Sequence, residues 1–558
     1  MSKNISSLSA RKGLKNNLFD RLIQLGSGTL NQEQALVQNK QLANEFLVGE
    51  ATIKGASSFY DFIEGENAHV PAYLCDGSSC LCAGTQDILY ERLVLAVGER
   101  NVGHVACLGR CHENSAFRFK GVNYSGEDIF KLDEIMDQGF KSGEVLRARS
   151  FVKSPILTED IKDVNTYYQL LTSLIKNNRT ADVFADLSLS GLRGRGGAGF
   201  PAVLKWQACA KEQSEQKYIV CNADEGDPGA FSDRYLLEQR PHHVLFGMWV
   251  AGWLVGASQG VLYIRDEYPE AINACTLAIE EFDKLNFSDH PFRFKIIGGA
   301  GAYICGEETA LLRSIEGQRP VVSVRPPFPA QQGLFNKPTV VNNVETFASL
   351  HWILQNGGQA FKTLGTEKSS GTKLVSLDSS FNKPGVIEVE MGTPLADIVE
   401  TYGGGLSKQL KALHIGGPLG GLVPIEKVPA LTLDFESFSQ QGFLLGHAGI
   451  VGIPEAVPLL SYLHHLFEFT AAESCGKCFP CRLGATRGME MFENAIDGTQ
   501  NLNRELLEDL LETMELGSLC ALGGGIPLPI KNALQWFEDE LAPYFEPQTE
   551  NEQLGAKE

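Results

Sequence analysis

Positive charge is scarce in this chain. Its 558 residues hold 48 Lys and Arg against 68 Asp and Glu, a formal net charge of −20. Such a surface repels phosphodiester backbones and anionic headgroups, which argues against a nucleic-acid partner or an anionic membrane surface. Long hydrophobic runs are missing too. The opening "MSKNISSLSARKGLKNN" has no apolar core that could serve as a signal peptide. The one uncharged stretch of membrane-spanning length, "PHHVLFGMWVAGWLVGASQGVLYI" at 241–264, is broken by glycines and a polar "GASQG". It predicts a short buried helix, a loop and a strand rather than a span. Internal repeats are also absent. The expectation is a cytoplasmic protein with no direct membrane insertion.

What is present is ample core-forming material. With 43% hydrophobic and 21% charged residues the chain reads as globular, and its length suggests about three or four domains. Residues 1–68 carry apolar positions at three-to-four spacing, as in "NNLFDRLIQLG", and predict helices. From 69 to 145 the texture is short strands and turns. Residues 150–350 form a glycine-rich α/β region with strand-loop and strand-loop-helix units. A small β-grasp-like (SLBB-like) module is expected at 370–430 and helices at 455–545. The acidic tail, 546–558, predicts disorder. The fold class is therefore α/β multidomain.

Nine of the thirteen cysteines fall in two groups, and clustered cysteines in a reducing compartment point to metal or redox chemistry rather than disulfides. "ESCGKCFPCRLG" supplies Cys475, Cys478 and Cys481, and "GSLCALGG" supplies Cys520. Three thiolates from one loop and a fourth from elsewhere suit a 4Fe-4S cubane. Zinc and inert cysteines are the alternatives, although structural zinc usually takes two C-x2-C pairs. In the N-terminal group, Cys75 and Cys80 pair with Cys107 and Cys111, and two pairs on two loops suit a 2Fe-2S rhomb, with a zinc module as the alternative. Cys82, one residue beyond Cys80, would point the other way on an extended strand and is left out of the set.

"GLRGRGGAGFPAVLKW", 191–206, satisfies G-x-G-x-x-G from Gly194 to Gly199. Glycines allow a backbone to turn its N–H groups onto phosphate. With 58 glycines in the chain the pattern alone is weak, and no apolar strand precedes it, so an ordinary dinucleotide turn does not fit. Three further stretches join it. "CNADEGDPGAF" sets Asn222, Asp224, Glu225 and Asp227 beyond a strand. "GAGAYICGEETALL" sets Tyr303, Glu307 and Glu308 beside a glycine turn. "RPPFPAQQGLFNKPTVVNNVET" adds Arg325, Phe328, Asn342, Asn343 and Thr346. Singly each acid reads as a solvated or capping residue; it is their combination that points to a site. Two iron–sulfur clusters and a two-electron nucleotide donor require a flavin between them.

In this order, "GRGGAGFP", "CNADEGDPGAF", "GAYICGEETALL", "RPPFPA", "KPTVVNNVET" and "ESCGKCFPCRLG" resemble the FMN- and NADH-binding flavoprotein subunit of complex I and its soluble relatives. The N-terminal third, with "SSFYDF" before the two cysteine pairs, resembles the partner subunit that carries a thioredoxin-like 2Fe-2S domain. The resemblance implies a Rossmann-like FMN domain and a C-terminal helical bundle holding the 4Fe-4S cluster. It implies that Gly194, Arg195, Gly196 and Gly197 cradle FMN and the nucleotide, with Lys205, Asn222, Asp224, Tyr303, Gly306, Val341, Asn342, Asn343 and Thr346 at FMN-contacting positions. Phe200 and Phe328 match rings that stack on adenine, and Arg325 lies in the same NADH-binding set. Glu225, Glu307 and Glu308 match acids near ribose and nicotinamide, with Glu225 and Glu307 positioning the nucleotide and no side chain acting as acid or base. Asp227, Glu307 and Glu308 would meet a 2′-phosphate with like charge, favouring NAD over NADP.

Departures refine the expectation. Gly226-Asp227 and Arg325 look more like the soluble enzymes than complex I, and so does fusion of the 2Fe-2S domain. Ala208 stands where many relatives have a second adenine-stacking aromatic, and Ala521 where glycine is usual. The leading expectation is the diaphorase subunit of a hetero-oligomeric NAD-dependent formate dehydrogenase, beside a large molybdenum or tungsten subunit with further iron–sulfur clusters. A hydrogenase partner is the second reading, complex I the third, and a zinc-stabilised scaffold without redox activity a remote fourth.

Overall fold

Three β-sheets organise the chain, each from a different sequence texture. The computed structural model describes residues 3–10, 13–26, 32–65, 67–139, 144–287 and 290–547; the tail assigned to disorder lies almost wholly outside them. The first sheet comprises β1 (Ala72–Cys75), β2 (Val102–Val105), β3 (Phe117–Phe119) and β4 (Val122–Tyr124) in the order β2-β1-β3-β4. β1 and β2 run parallel, while β3 is antiparallel to both its neighbours. Lys120 and Gly121, both at positive φ, make the two-residue link between β3 and β4 that matches the twist of a tight hairpin. Helix Gln86–Val97 covers this sheet through Leu89 and Leu93.

After a short strand β5 (Ala148–Ser150) come β6 (Tyr218–Ala223), β7 (Gln259–Ile264), β8 (Arg293–Gly298) and β9 (Thr339–Asn343). They form an all-parallel sheet in the order β8-β7-β6-β9. Parallel sheets are buried on both faces, and alternation along β6 and β7 shows how. Ile219, Cys221, Leu262 and Ile264 pack into the core that contains helix Pro241–Val255. Tyr218, Val220, Val261 and Tyr263 pack against Leu18, Phe19, Leu22 and Phe46. The N-terminal helices, Leu18–Gly26, Gln32–Phe46 and Glu50–Ser57 among them, thus form the second cover of this parallel sheet. The stretch 241–264 is the helix-loop-strand its glycines predict. Gly247 of that helix lies so close to helix Val344–Ala348 that a Cβ would stand 2.1 Å from the Phe347 carbonyl oxygen. Among the described residues no helix is long and apolar enough to cross a membrane.

The third sheet is mixed: β10 (Thr372–Leu377), β11 (Gly385–Glu390), β12 (Leu410–Ile415), β13 (Gly421–Pro424) and β14 (Gly449–Pro454), in the order β13-β12-β14-β10-β11-β5. It reaches beyond the 370–430 window at both ends. β14 sits at its centre and β5 on its edge, because an inner strand can arrive from any distance along the chain once its two faces are apolar. Helices Leu459–Ala472, Phe479–Ile496, Arg504–Gly517 and Pro527–Trp536 then pack around Leu463, Leu466, Phe467, Phe492, Leu507 and Leu511.

Candidate functional site

The glycine segment follows a helix, Thr180–Ser190, not a strand. Gly194 donates to Phe200 O at 2.8 Å and Arg193 Nε to Gly199 O at 2.6 Å, closing a loop that feeds helix Ala202–Lys211. Gly197 and Gly199 take φ of 116° and 60°, which side-chain-bearing residues rarely adopt. The loop lies on the carboxyl end of β9: a Cβ on Gly196 would stand 3.1 Å from Asn343 Cβ, and the Arg195 N–H donates to Thr346 Oγ1 at 3.0 Å. Arg195 is 1% exposed and donates through Nη2 to Ser370 O at 2.6 Å, yet its Nε and Nη1 have no hydrogen-bond partner among the described residues.

The ends of the parallel strands converge beside this loop, where open α/β sheets bind ligands. Asn222 Nδ2 donates to Gly306 O at 2.7 Å, and a Cβ on Gly306 would approach Asp224 O to 3.4 Å. Burial pushes the Asp224 carboxyl well above the usual range, and its Oδ2 has no partner among the described residues. Tyr303 donates to Asp227 at 2.7 Å. Lys205 is 3.2 Å from Glu308 and 3.5 Å from Val341 O, while Arg325 holds the other Glu308 oxygen at 2.7 Å. Glu307 caps helix Glu308–Ile315, accepting from Thr309 N and Ala310 N at 2.9 and 3.0 Å. Asn342 accepts from Trp206 Nε1 at 2.8 Å, and Asn343 caps the next helix while donating to Asp233 at 2.6 Å. Phe200 and Phe328 are 49% and 52% exposed, free to stack on a flat ring.

Glu225 is not brought among them. Its carboxylate faces the opposite way, accepting from Asp233 N and Arg234 N at 2.9 and 3.0 Å and from Tyr268 Oη at 3.2 Å. Burial is the largest influence on it and raises its pKa. The backbone turns tightly just past β6, with Gly226 N donating to Asp224 O at 3.0 Å, and the Glu225 side chain at this turn reaches the first N–H groups of helix Ser232–Gln239.

The N-terminal sulfurs converge. Cys75 lies beside the Cys107 and Cys80 thiols, which push its own thiol up, Cys107 Sγ lies 3.6 Å from Cys111 Sγ, and all four residues are 2% exposed or less. Cys82 is outside the set, but not because of strand alternation: Ser78–Ala83 is a helix, which turns its side chain into the apolar cluster of Ala412, Leu422 and Val451. In the C-terminal set Cys475, Cys478, Cys481 and Cys520 share one apolar nest with Ile304, Phe469 and Leu522. Burial pushes the Cys481 and Cys520 thiols up to about 11 and 12, so binding as thiolates requires a compensating cation. Each donor set, four soft sulfurs and no carboxylate, fits iron–sulfur ligation. The partnerless Asp224 oxygen beside Gly306 and the glycine loop fit a flavin phosphate-and-ring ligand of mixed polarity, while buried Arg195 pairs with Glu345 at 4.0 Å.

Comparison with known proteins agrees with this geometry. The Nuo51 FMN-binding domain matches residues 187–352, and the NADH-ubiquinone oxidoreductase-F iron-sulfur binding region matches 461–544. The NAD-reducing hydrogenase HoxS subunit alpha of Cupriavidus necator is 37% identical over 543 residues, covering 89% of this chain and 87% of that protein. This chain belongs to the Nuo51-type flavoprotein family. An NADH-quinone oxidoreductase subunit of Rhizobium meliloti is 39% identical over 64% of this chain and 87% of its own. The NADP-reducing hydrogenase subunit HndC of Solidesulfovibrio fructosivorans is 40% identical over 64% and 75%. A crystal structure of an NAD+-reducing NiFe hydrogenase in the H2-reduced state superposes with a TM-score of 0.84 at 29% identity, over 95% of this chain and 94% of its counterpart. The family member is thus an NADH:FMN diaphorase-type oxidoreductase subunit with iron–sulfur regions.

Sequence reasoning missed three contributors. Glu473 accepts from Tyr303 N at 2.9 Å and burial pushes it up to about 7. His447 lies 3.4 Å from Asp227, and Trp206 orients Asn342. Only Glu473 had a local signal, its place two residues before Cys475.

Proposed function

We propose that this chain is the NAD(H)-facing diaphorase subunit of a soluble hetero-oligomeric oxidoreductase whose large subunit carries the terminal chemistry. The observation that carries the reading is the joining, in one chain, of an enclosed N-terminal four-cysteine site, a glycine-cradled strand-end site and a second four-cysteine site. When bound, FMN supplies the exchange between two-electron hydride chemistry and one-electron carriers. The chain's own residues bind and orient. The N–H groups of Gly196 and Gly197 favour an anionic group, Phe200 and Phe328 offer faces for a base, and Glu308 fixes Lys205 and Arg325 at the mouth. Asp227 and Glu307 meet a second phosphate on the nucleotide with like charge, favouring NAD.

Whole-length similarity to a hydrogenase subunit supports a hydrogenase partner. The Gly226-Asp227 pair, Arg325 and the fused N-terminal region are equally compatible with a molybdenum or tungsten formate dehydrogenase. Affinity purification of the tagged chain from its own cells, followed by metal analysis of the copurifying large subunit, separates them. Nickel or iron alone with H2-dependent NAD reduction identifies the first, and molybdenum or tungsten with formate-dependent reduction the second. A chain that purifies alone, with no large subunit, contradicts both.

A further inference from the structure

The loop after β6 has two faces. Asp224 and Asp227 look toward the candidate flavin site, while Glu225 looks toward the N-terminal cysteines, and what lies between Glu225 and those cysteines is a lattice of buried charge. Arg265, 5% exposed, donates to the Glu225 carbonyl at 2.5 Å, to Cys107 O at 2.8 Å and to Glu267 at 2.7 Å. Arg234, 2% exposed, donates to Gly109 O at 3.1 Å, to Glu238 at 2.7 Å and to Glu144 at 3.0 Å. Gly109 in turn donates to Cys107 Sγ at 3.3 Å. Its φ of +66° leaves no room for a side chain, since a Cβ would stand 2.5 Å from Tyr268 Oη, and Tyr268 is itself bonded to Glu225.

Two guanidinium groups from the flavin region therefore grip the backbone carbonyls of a loop that belongs to another sheet. His112, Glu113 and Glu144 have the mutual spacing of a cation site, but Arg110 and Arg234 both pair with Glu144, so the lattice already neutralises that carboxylate. Burying several charges is costly unless all are paired; a purely structural contact between two regions would be met more cheaply by apolar packing.

We propose that Arg234 and Arg265, with Glu144 and Glu267 as their counter-charges, are positioning residues that seat the Cys107–Cys111 loop on the flavin region and set the reduction potential of the N-terminal cluster. This rests on the reading of that site as a 2Fe-2S centre. A buried unit charge one hydrogen bond from a ligand loop acts in low dielectric and is weakly screened, and cluster potentials follow local charge and hydrogen bonding. Removing a positive charge stabilises the oxidised form; removing a negative one stabilises the reduced form.

The test is an EPR-monitored redox titration of the full-length chain, with flavin content and the 4Fe-4S signal recorded alongside. Arg234→Met is expected to lower the reduced-to-oxidised ratio of the 2Fe-2S signal about tenfold at fixed ambient potential, ~59 mV for a one-electron couple, and Glu144→Gln to raise it. Shifts of the same sign in both variants, or no shift in either, overturn the proposal. Should Arg234→Met lose the cluster, Arg234→Lys must restore its signal and Glu144→Gln alone must still raise the potential; failure of either also overturns it. A wild-type chain with no 2Fe-2S signal overturns both this inference and the N-terminal assignment, while its FMN and 4Fe-4S signals report separately on the diaphorase reading.

Discussion

The two four-cysteine sites are built in opposite ways. The N-terminal sulfurs are sealed, with each of the four cysteines 2% exposed or less, and their loop is held by the buried Arg234 and Arg265. The C-terminal set is only half enclosed. Cys475 and Cys481 are buried but Cys478 and Cys520 are partly open, and Phe479, Leu483 and Leu516 beside them are 68%, 58% and 77% exposed. The contrast teaches that one site is insulated by the chain's own fold, whereas the other leaves two of its cysteines within reach of the surface.

Removing a ligand is the bluntest way to probe that contrast. Cys520→Ser should cost about four of six irons per chain and Cys75→Ser about two, each sparing the other site, with iron analysis and EPR as the readout; loss of both clusters from either change would mean the sites are not independent. Crowding gives a subtler version. Gly109→Ala must adopt a positive φ costing about 1–2 kcal/mol besides meeting Tyr268, and should deplete only the N-terminal signal. Gly523→Ala places a Cβ 2.5 Å from Cys481 Cβ, an overpacking cost of about 1–3 kcal/mol, and should deplete only the C-terminal one.

The smallest effects concern what surrounds the sealed site. Asp378 accepts from Ser79 Oγ at 3.2 Å, Gly452 N at 3.2 Å and Ser380 N at 3.0 Å, and burial pushes it up to about 6. A carboxyl whose folded pKa exceeds its unfolded value adds stability below the unfolded pKa and loses it as pH rises to the folded one. Thermal midpoints should therefore fall between about pH 4 and pH 6 by the equivalent of about 1–3 kcal/mol, and Asp378→Asn should flatten that slope. Cys82→Ser, near the ligands but packed elsewhere, should leave iron content unchanged; two irons lost would return Cys82 to the ligand set.

What the sequence made legible follows the range of the interaction. The buried helix and strand at 241–264 could be read because apolar run and glycine breaks are adjacent. The cysteine groupings could be read because three of four C-terminal ligands lie within seven residues, Cys475 to Cys481. The helical turn at Ser78–Ala83 was hidden, since a cluster of Gly77, Ser78 and Ser79 reads as a turn as readily as a helix start. The direction of the buried Glu225 side chain and the arrival of β5 and β14 in the third sheet depend on partners far along the chain, such as Tyr268 and Val386. No local pattern encodes them. Resemblance named the flavin-site residues, but only packing separates Asp224, aimed at the site, from Glu225, aimed behind it.

The most direct test of the central claim is anaerobic purification of the full-length chain, with flavin and iron analysis and an absorbance titration by NADH. The expected result is one FMN and about six irons per chain, with flavin and iron–sulfur absorbance both bleached by NADH. A colourless, zinc-bearing protein indifferent to NADH would contradict it.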